Sequence, residues 1–315
     1  MVLKDNCGRP LLNLRVSVTK RCNLRCHYCH LEGEEKPVGN VSNEMTVDEI
    51  IRIVRIAVGL GISKVKLTGG EPLMREDITQ IVNRITGIRG LTDLSMTTNG
   101  TLLAPSSEKL HANGLNRVNI TLPTLDERLY KKLTGGNVEA VQEGVRVAVK
   151  TGFYPVKLNM LILKNVNDKA VPEMIEFAKE TGTVLQLIEL EPLNISEVYY
   201  FRHHKSLDEY EDMLKEKATK VETRRYMQNR RIYHLPHVKV EVIHPIENTE
   251  FCMHCTRLRL TSDGKLKPCL MRKDGLVDVL TPMRNGANDK ELTELFLLAN
   301  QERHPYNQEN TLYVD

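Results

Sequence analysis

The sequence predicts an α/β fold: an incomplete, six-stranded parallel α/β barrel followed by a C-terminal α+β module. Three observations carry that expectation. From residue 12 to about 191, short β-branched and apolar runs alternate with longer segments of helical period. After Pro192 the alternation gives way to a strongly charged stretch. Six of the seven cysteines form two groups of three, one in each part.

The alternation places strands at 12–19, 64–67, 93–97, 117–122, 156–163 and 184–190. Helices at 47–59, 77–85, 105–113, 138–150 and 171–181 lie between them, with apolar residues at i, i+3 and i+4. Strands separated by helices imply right-handed crossovers and a parallel sheet. Six such units fall short of an eight-stranded barrel, and functional loops in barrels sit at the C-terminal strand ends. A boundary near 195 divides a partial barrel, 1–194, from a module, 195–315, that closes it and carries the second cysteine group. Residues 194–220 are charged, and 224–239 are basic with Tyr226, Tyr233, Pro236 and His237 interspersed. Strands follow at 239–243, 258–261 and 265–268, the last two joined by Ser262-Asp263-Gly264. A closing helix spans 289–300. There is no internal repeat.

In 315 residues, 44 Lys and Arg stand against 41 Asp and Glu, a formal charge of +3. That is too small for a polyanion-binding surface without local clustering, so nucleic acid is not an expected partner. No apolar run reaches the length of a signal peptide or a spanning helix, so the expectation is a soluble cytoplasmic protein with no membrane partner. Cysteines in such a chain stay reduced, and their grouping points to metal or redox chemistry.

Cys22, Cys26 and Cys29 form C-x3-C-x2-C on the loop after the first strand. Three thiolates can hold a four-iron cubane while leaving one iron without a protein ligand, whereas electron-transfer clusters ordinarily use four cysteines. A zinc site completed by His27 or His30, or a group of unligated thiols, is the alternative, although zinc ligands usually come as two separated pairs. One βα unit later, the second strand runs into Thr68-Gly69-Gly70-Glu71-Pro72. Glycines there let the backbone approach a ligand and leave amide and carbonyl groups free to bind it. Alone, such a sequence is just a turn. Thr97, Thr98, Asn99 and Gly100 end the third strand and Thr121 the fourth, at the same mouth of the barrel.

Cys252, Cys255 and Cys269 form C-x2-C-x13-C, again three thiols, and His254 is badly placed to complete a zinc site beside both neighbours. Arg257 and Arg259 lie two apart on a strand and share a face. Two guanidiniums there suit a triphosphate, being always charged and able to make bidentate contacts. Without the flanking cysteines the pair would read as a solvated basic strand.

The first triad, with Tyr28 before its third cysteine, resembles the radical SAM superfamily. The run Phe251 to Leu270 narrows the resemblance to the GTP 3',8-cyclase family of molybdenum cofactor biosynthesis (molybdenum cofactor biosynthesis protein A family), over roughly residues 5 to 300. The resemblance implies two 4Fe-4S clusters and S-adenosylmethionine, with no catalytic residue beyond the cluster ligands. S-adenosylmethionine would lie on the first cluster beside Tyr28, Gly70, Thr121 and Glu191. GTP would lie with its guanine on the second, held by Arg15, Lys66, Thr97, Lys157, Arg257 and Arg259. All but the threonine are basic, and inward basic residues with no acidic balance call for an anionic substrate. A 5'-deoxyadenosyl radical would take the ribose 3' hydrogen and give 3',8-cyclo-7,8-dihydro-GTP.

Implied partners are a reductant protein of ferredoxin or flavodoxin type and a downstream cyclic pyranopterin monophosphate synthase, and a homodimer is left open. Four positions depart from the family pattern. Lys66 replaces an arginine and Thr121 a serine. Glu191-Pro192 replaces a methionine that contacts the adenosine, which leaves Glu191 to hydrogen-bond the ribose. The terminal Gly-Gly has no counterpart in 307–315. Cys7 has no assigned role. The alternatives are another twin-cluster radical SAM enzyme, such as a peptide-modifying one, and a non-catalytic electron-transfer or zinc protein.

Overall fold

The computed structural model describes residues 2–34 and 44–309. The last residues of the tail without a Gly-Gly, 310–315, lie outside the described residues. Six strands recur in chain order as β1 (Asn13–Ser17), β2 (Lys64–Thr68), β3 (Asp93–Thr98), β4 (Arg117–Thr121), β5 (Lys157–Leu161) and β6 (Val184–Ile188). Each pairs in parallel with the next. The helices between them are α1 (Val47–Gly59), α2 (Ile78–Thr86), α3 (Leu103–Ala112), α4 (Glu127–Thr134), α5 (Val138–Thr151) and α6 (Val171–Thr181).

The bounds of α1 and α6 agree with the apolar period, and α1 begins in a capping box in which Thr46 and Glu49 satisfy each other's backbone donors. Helix α4 is an addition, because its charged sequence hides a short face of Tyr130 and Leu133 behind an Asp126 N-cap. Strands β5 and β6 are shorter than their apolar runs. Ile162, Leu163 and Leu190 are buried beyond the ladder, so apolar burial and strand pairing end at different residues.

The later chain forms α7 (Glu197–His203), α8 (Asp208–Lys217), β7 (Lys220–Arg224), β8 (Arg230–Leu235), β9 (Val238–Ile243), α9 (Thr249–Met253), β10 (Arg257–Leu260), β11 (Lys265–Lys267), β12 (Val277–Asp278), α10 (Leu280–Arg284), α11 (Asp289–Gln301) and α12 (Tyr306–Glu309). Strand β9 joins β6 and β10 joins β1, both in parallel, so the module extends the same sheet at each edge. The result is twelve strands ordered β12-β11-β10-β1-β2-β3-β4-β5-β6-β9-β8-β7. No helix among the described residues is long and apolar enough to cross a membrane.

Register places the site. Successive strand residues point to opposite faces. Leu14, Val16, Val65, Leu67, Leu94, Met96, Val118 and Ile120 therefore belong to the main hydrophobic core. The alternate residues form rows across the other face. Arg259, Arg15, Lys66, Ser95 and Arg117 are Cα partners in one row, and Thr97, Asn119 and Lys157 in another.

Candidate active site

These rows floor a cavity of about 310 Å³ lined by both cysteine triads. Tyr28, Gly70, Thr121 and Glu191 line it, and so do Arg15, Lys66, Thr97, Lys157, Arg257 and Arg259. Sixteen positions from separate parts of the chain thus meet around one space.

At the first triad, Cys22 and Cys29 are exposed and Cys26 half-buried. The Gly-Gly turn here packs on a neighbouring segment of chain. Gly70 donates its N–H to the Thr19 carbonyl at 2.7 Å, and Glu71 donates to Arg21 at 2.7 Å. A Cβ on Gly70 would collide with the Arg21 carbonyl oxygen, so only glycine lets the turn dock on the chain entering Cys22. The amide expected to be free is engaged, and what remains for an ammonium ligand is the carbonyl.

Glu71, fully buried, ties the neighbouring strand ends together. It accepts from Thr98 Oγ1 at 2.7 Å, Asn99 N at 2.6 Å and Leu73 N at 3.0 Å. Burial raises its pKa despite those bonds. Tyr28 is buried with Leu133, Leu163 and Leu190 behind Cys26. The Cys26 thiol is pushed up to about 12, by burial first and then by Cys29 and Cys22. Three thiols this close resist ionising together unless positive charge sits among them, so the donor set fits an iron-sulfur cluster. Among the described residues no three His, Cys, Asp or Glu side chains converge on a single metal ion.

At the second triad the surroundings are cationic. The cavity wall carries eleven Lys and Arg against four Asp and Glu. The expected absence of acidic balance is nevertheless incorrect, because two carboxylates that sequence spacing could not place reach the basic rows. Glu32, just past the first triad, lies 3.3 Å from Arg15 and 3.9 Å from Arg259. Burial would raise its pKa, but Arg15, His30 and Arg259 outweigh that and hold it at about 2. Glu241 on β9 pairs with Lys157, lies 3.1 Å from Arg224 and 3.8 Å from Arg230, and accepts from Gln186 Nε2 at 2.5 Å. Its carboxyl is held far below the usual range, the three cations outweighing burial.

The expected substrate cations thereby divide. Arg15 and Lys157 have carboxylate partners. Among the described residues Lys66 donates only to the neutral Asn119 Oδ1, at 2.8 Å. The Arg257 guanidinium has no hydrogen bond or ion pair among the described residues, and Arg259 Nε is buried without a hydrogen-bond partner. Burial and then neighbouring cations push the pKa of Lys66 and Arg257 well down. The guanidiniums stay charged, so the crowding remains as a potential that a bound anion relieves. Arg224 and Arg230, from the basic stretch 224–239, also line the cavity.

A partial parallel barrel with an open three-cysteine loop after its first strand defines a radical SAM protein, and the Radical SAM superfamily model matches residues 16–178. The Molybdenum Cofactor Synthesis C model matches residues 183–309. Proteins named probable GTP 3',8-cyclase match along almost their whole length. That of Pyrococcus horikoshii is 49% identical, covering 97% of this chain and 98% of its own, and that of Methanocaldococcus jannaschii is 45% identical, covering 96% and 99%. The chain belongs to this family. Streptococcus suis SuiB bound to S-adenosylmethionine shares the fold at a TM-score of 0.67 with 18% identity, covering 93% of this chain and 68% of its own. Native anSMEcpe with bound AdoMet shares it at 0.61 with 16% identity, covering 95% and 82%. Membership in the superfamily implies a 4Fe-4S cluster and S-adenosylmethionine.

Proposed function

We propose that this chain is a GTP 3',8-cyclase that converts GTP to 3',8-cyclo-7,8-dihydro-GTP, the first step of molybdenum cofactor biosynthesis. GTP lies at the Cys252, Cys255 and Cys269 end, where a second 4Fe-4S cluster is held, and S-adenosylmethionine lies at the Cys22, Cys26 and Cys29 end. One observation carries this: a single cavity joins both cysteine triads, and beside the second lie the buried guanidiniums of Arg257 and Arg259 with Lys66 in the same cationic wall. When bound, the first cluster and S-adenosylmethionine supply the 5'-deoxyadenosyl radical that takes the ribose 3' hydrogen.

The chain's own residues do the rest by placement. Gly70 offers its carbonyl, and Thr121 and Glu191 their side-chain oxygens, to the polar groups of S-adenosylmethionine, while Tyr28 and Leu190 exclude water behind Cys26. Arg257, Arg259 and Lys66 take the triphosphate, and Arg15, Thr97 and Lys157 complete that wall. With both ends of the nucleotide fixed, its ribose faces the first triad. Guanine C8 belongs to the same molecule as C3', so ring closure is effectively unimolecular. A ferredoxin- or flavodoxin-type protein in the cytoplasm supplies two electrons, one for cleavage of S-adenosylmethionine and one, with a proton, for the base radical that C3'–C8 closure leaves, and the product passes to a cyclic pyranopterin monophosphate synthase. GTP deuterated at C3' tests the assignment in an anaerobic assay with reductant. Label should arrive in 5'-deoxyadenosine, and unlabelled 5'-deoxyadenosine beside unconverted GTP would overturn it.

A further inference from the structure

The turn carrying Cys252 and Cys255 is gripped by two buried arginines at opposite ends of the described chain. Arg9 Nη1 donates to the Cys252 carbonyl at 2.9 Å, and Arg303 Nη2 donates to the Cys255 carbonyl at 2.7 Å. The two are tied together, since Arg9 Nη2 donates to the Arg303 carbonyl at 2.7 Å. The Asp5 carboxylate lies 2.8 Å from Arg9 Nε and 3.5 Å from Arg303 Nη1. Side-chain exposure is 0% for Asp5, 5% for Arg9 and 1% for Arg303. One carboxylate between two guanidiniums leaves a surplus positive charge in a buried place, which is unfavourable unless negative charge lies nearby. Arg303 also donates to Asn300 Oδ1 at 3.1 Å, which fixes its fork through α11. A lysine in either position would keep the charge and lose the two-pronged geometry.

We propose that Arg9 and Arg303 are positioning residues for the second triad. Their forks set the Cys252 and Cys255 carbonyls, and their surplus charge offsets the negative charge of the loaded site. This rests on the reading of that triad as a cluster site. A purely architectural role, tying the chain ends together, would affect both triads alike, so the test separates the sites.

Two parent proteins, both full-length, are reconstituted anaerobically: one with Cys22, Cys26 and Cys29 changed to Ala, the other with Cys252, Cys255 and Cys269 changed to Ala. Arg9→Lys and Arg303→Lys, the mild variants, and Arg303→Met are placed in each. Iron release to a chelator and, for the parent that keeps the second triad, the cluster's midpoint potential are measured. Each variant should speed release from the second site at least fivefold and leave the first within twofold. Arg303→Met should shift the second-site potential to more negative values, with Arg303→Lys close to its parent. Unchanged second-site release, or equal acceleration at both sites, would overturn the positioning role. Equal potentials in the Lys and Met variants would overturn the charge role. If the parent that keeps the second triad binds no iron, the cluster reading fails, and this inference with it.

Discussion

The two ends of the cavity hold the same number of thiols in opposite surroundings. The first loop is anchored through backbone: Arg25 donates to Thr134, His27 to Leu133 and Gly70 to Thr19, with a buried Glu71 behind. The second is surrounded by buried arginines, Arg9 and Arg303 on its carbonyls and Arg257 and Arg259 on the neighbouring strand. Burial raises Cys22 and Cys26 at the first end and Cys252 and Cys269 at the second, whereas at Cys255 alone Arg303, Arg257 and Arg259 overcome burial and lower it. A triad beside a buried carboxylate suits a ligand that carries positive as well as negative charge, such as an amino acid headgroup with a sulfonium. A cationic triad suits a polyanion.

The strongest way to break this comparison is to delete one end. Replacing Cys22, Cys26 and Cys29 with Ala should lower iron from about eight per chain to about four and abolish cleavage of S-adenosylmethionine. Replacing Cys252, Cys255 and Cys269 should remove a similar share yet leave that cleavage, uncoupled from GTP. If either triple variant lost all its iron, the ends would not be independent sites.

Next in size are the arginines with unused donors. Arg257→Ala or Arg259→Ala should weaken GTP binding by about 1.5–3 kcal/mol, the range for a hydrogen bond to a charged group, with S-adenosylmethionine scarcely affected. Equal losses for both ligands in calorimetry would mean that the arginines hold the fold rather than the phosphates. The mirror experiment is Glu71→Gln. It replaces one acceptor oxygen of a buried carboxylate that satisfies Thr98, Asn99 and Leu73, and should weaken S-adenosylmethionine by about 1–2 kcal/mol while GTP binding holds.

What the sequence made legible follows from range. The periods of α1 and α6 are local, and so are the spacings inside each cysteine group. The alternation of Arg257 with Arg259 gives their shared face, and β1–β10 pairing confirms it with Arg15 beside Arg259. Contacts that depend on register between distant strands stayed hidden. Glu241 reads as one polar residue in an apolar strand, and only the pairing of β6 with β9 sets it beside Gln186. The signal for it was a carboxylate between valines, which predicts a buried partner without naming one. Arg9 and Arg303 carried no signal at all, being separated by nearly the whole chain. The Gly70 turn was located correctly and its amide misassigned, because a close backbone contact and a ligand contact demand the same residue.

The smallest effect expected concerns Lys66, the position where arginine is usual, and it sharpens the account of the cationic end. Burial, then Arg15, Arg117, Arg257 and Lys157, lower its pKa well below the ordinary 10.5. The protonated amine is thus less favourable in the folded chain than in the unfolded one. It opposes folding in full below its lowered pKa, and that cost fades as pH rises toward 10.5. GTP reverses the preference, because an anion beside Lys66 favours the cation, so binding takes up protons in this window. As pH rises through it, wild-type affinity should fall by about 0.5–1 kcal/mol, the scale of a partly solvated ion pair. The guanidinium introduced by Lys66→Arg stays charged throughout, and the affinity of that variant should be flat over the same range. Titrations of both proteins share the ionisation of GTP itself, so the difference between their slopes isolates Lys66. Parallel slopes would show that Lys66 does not face the phosphates.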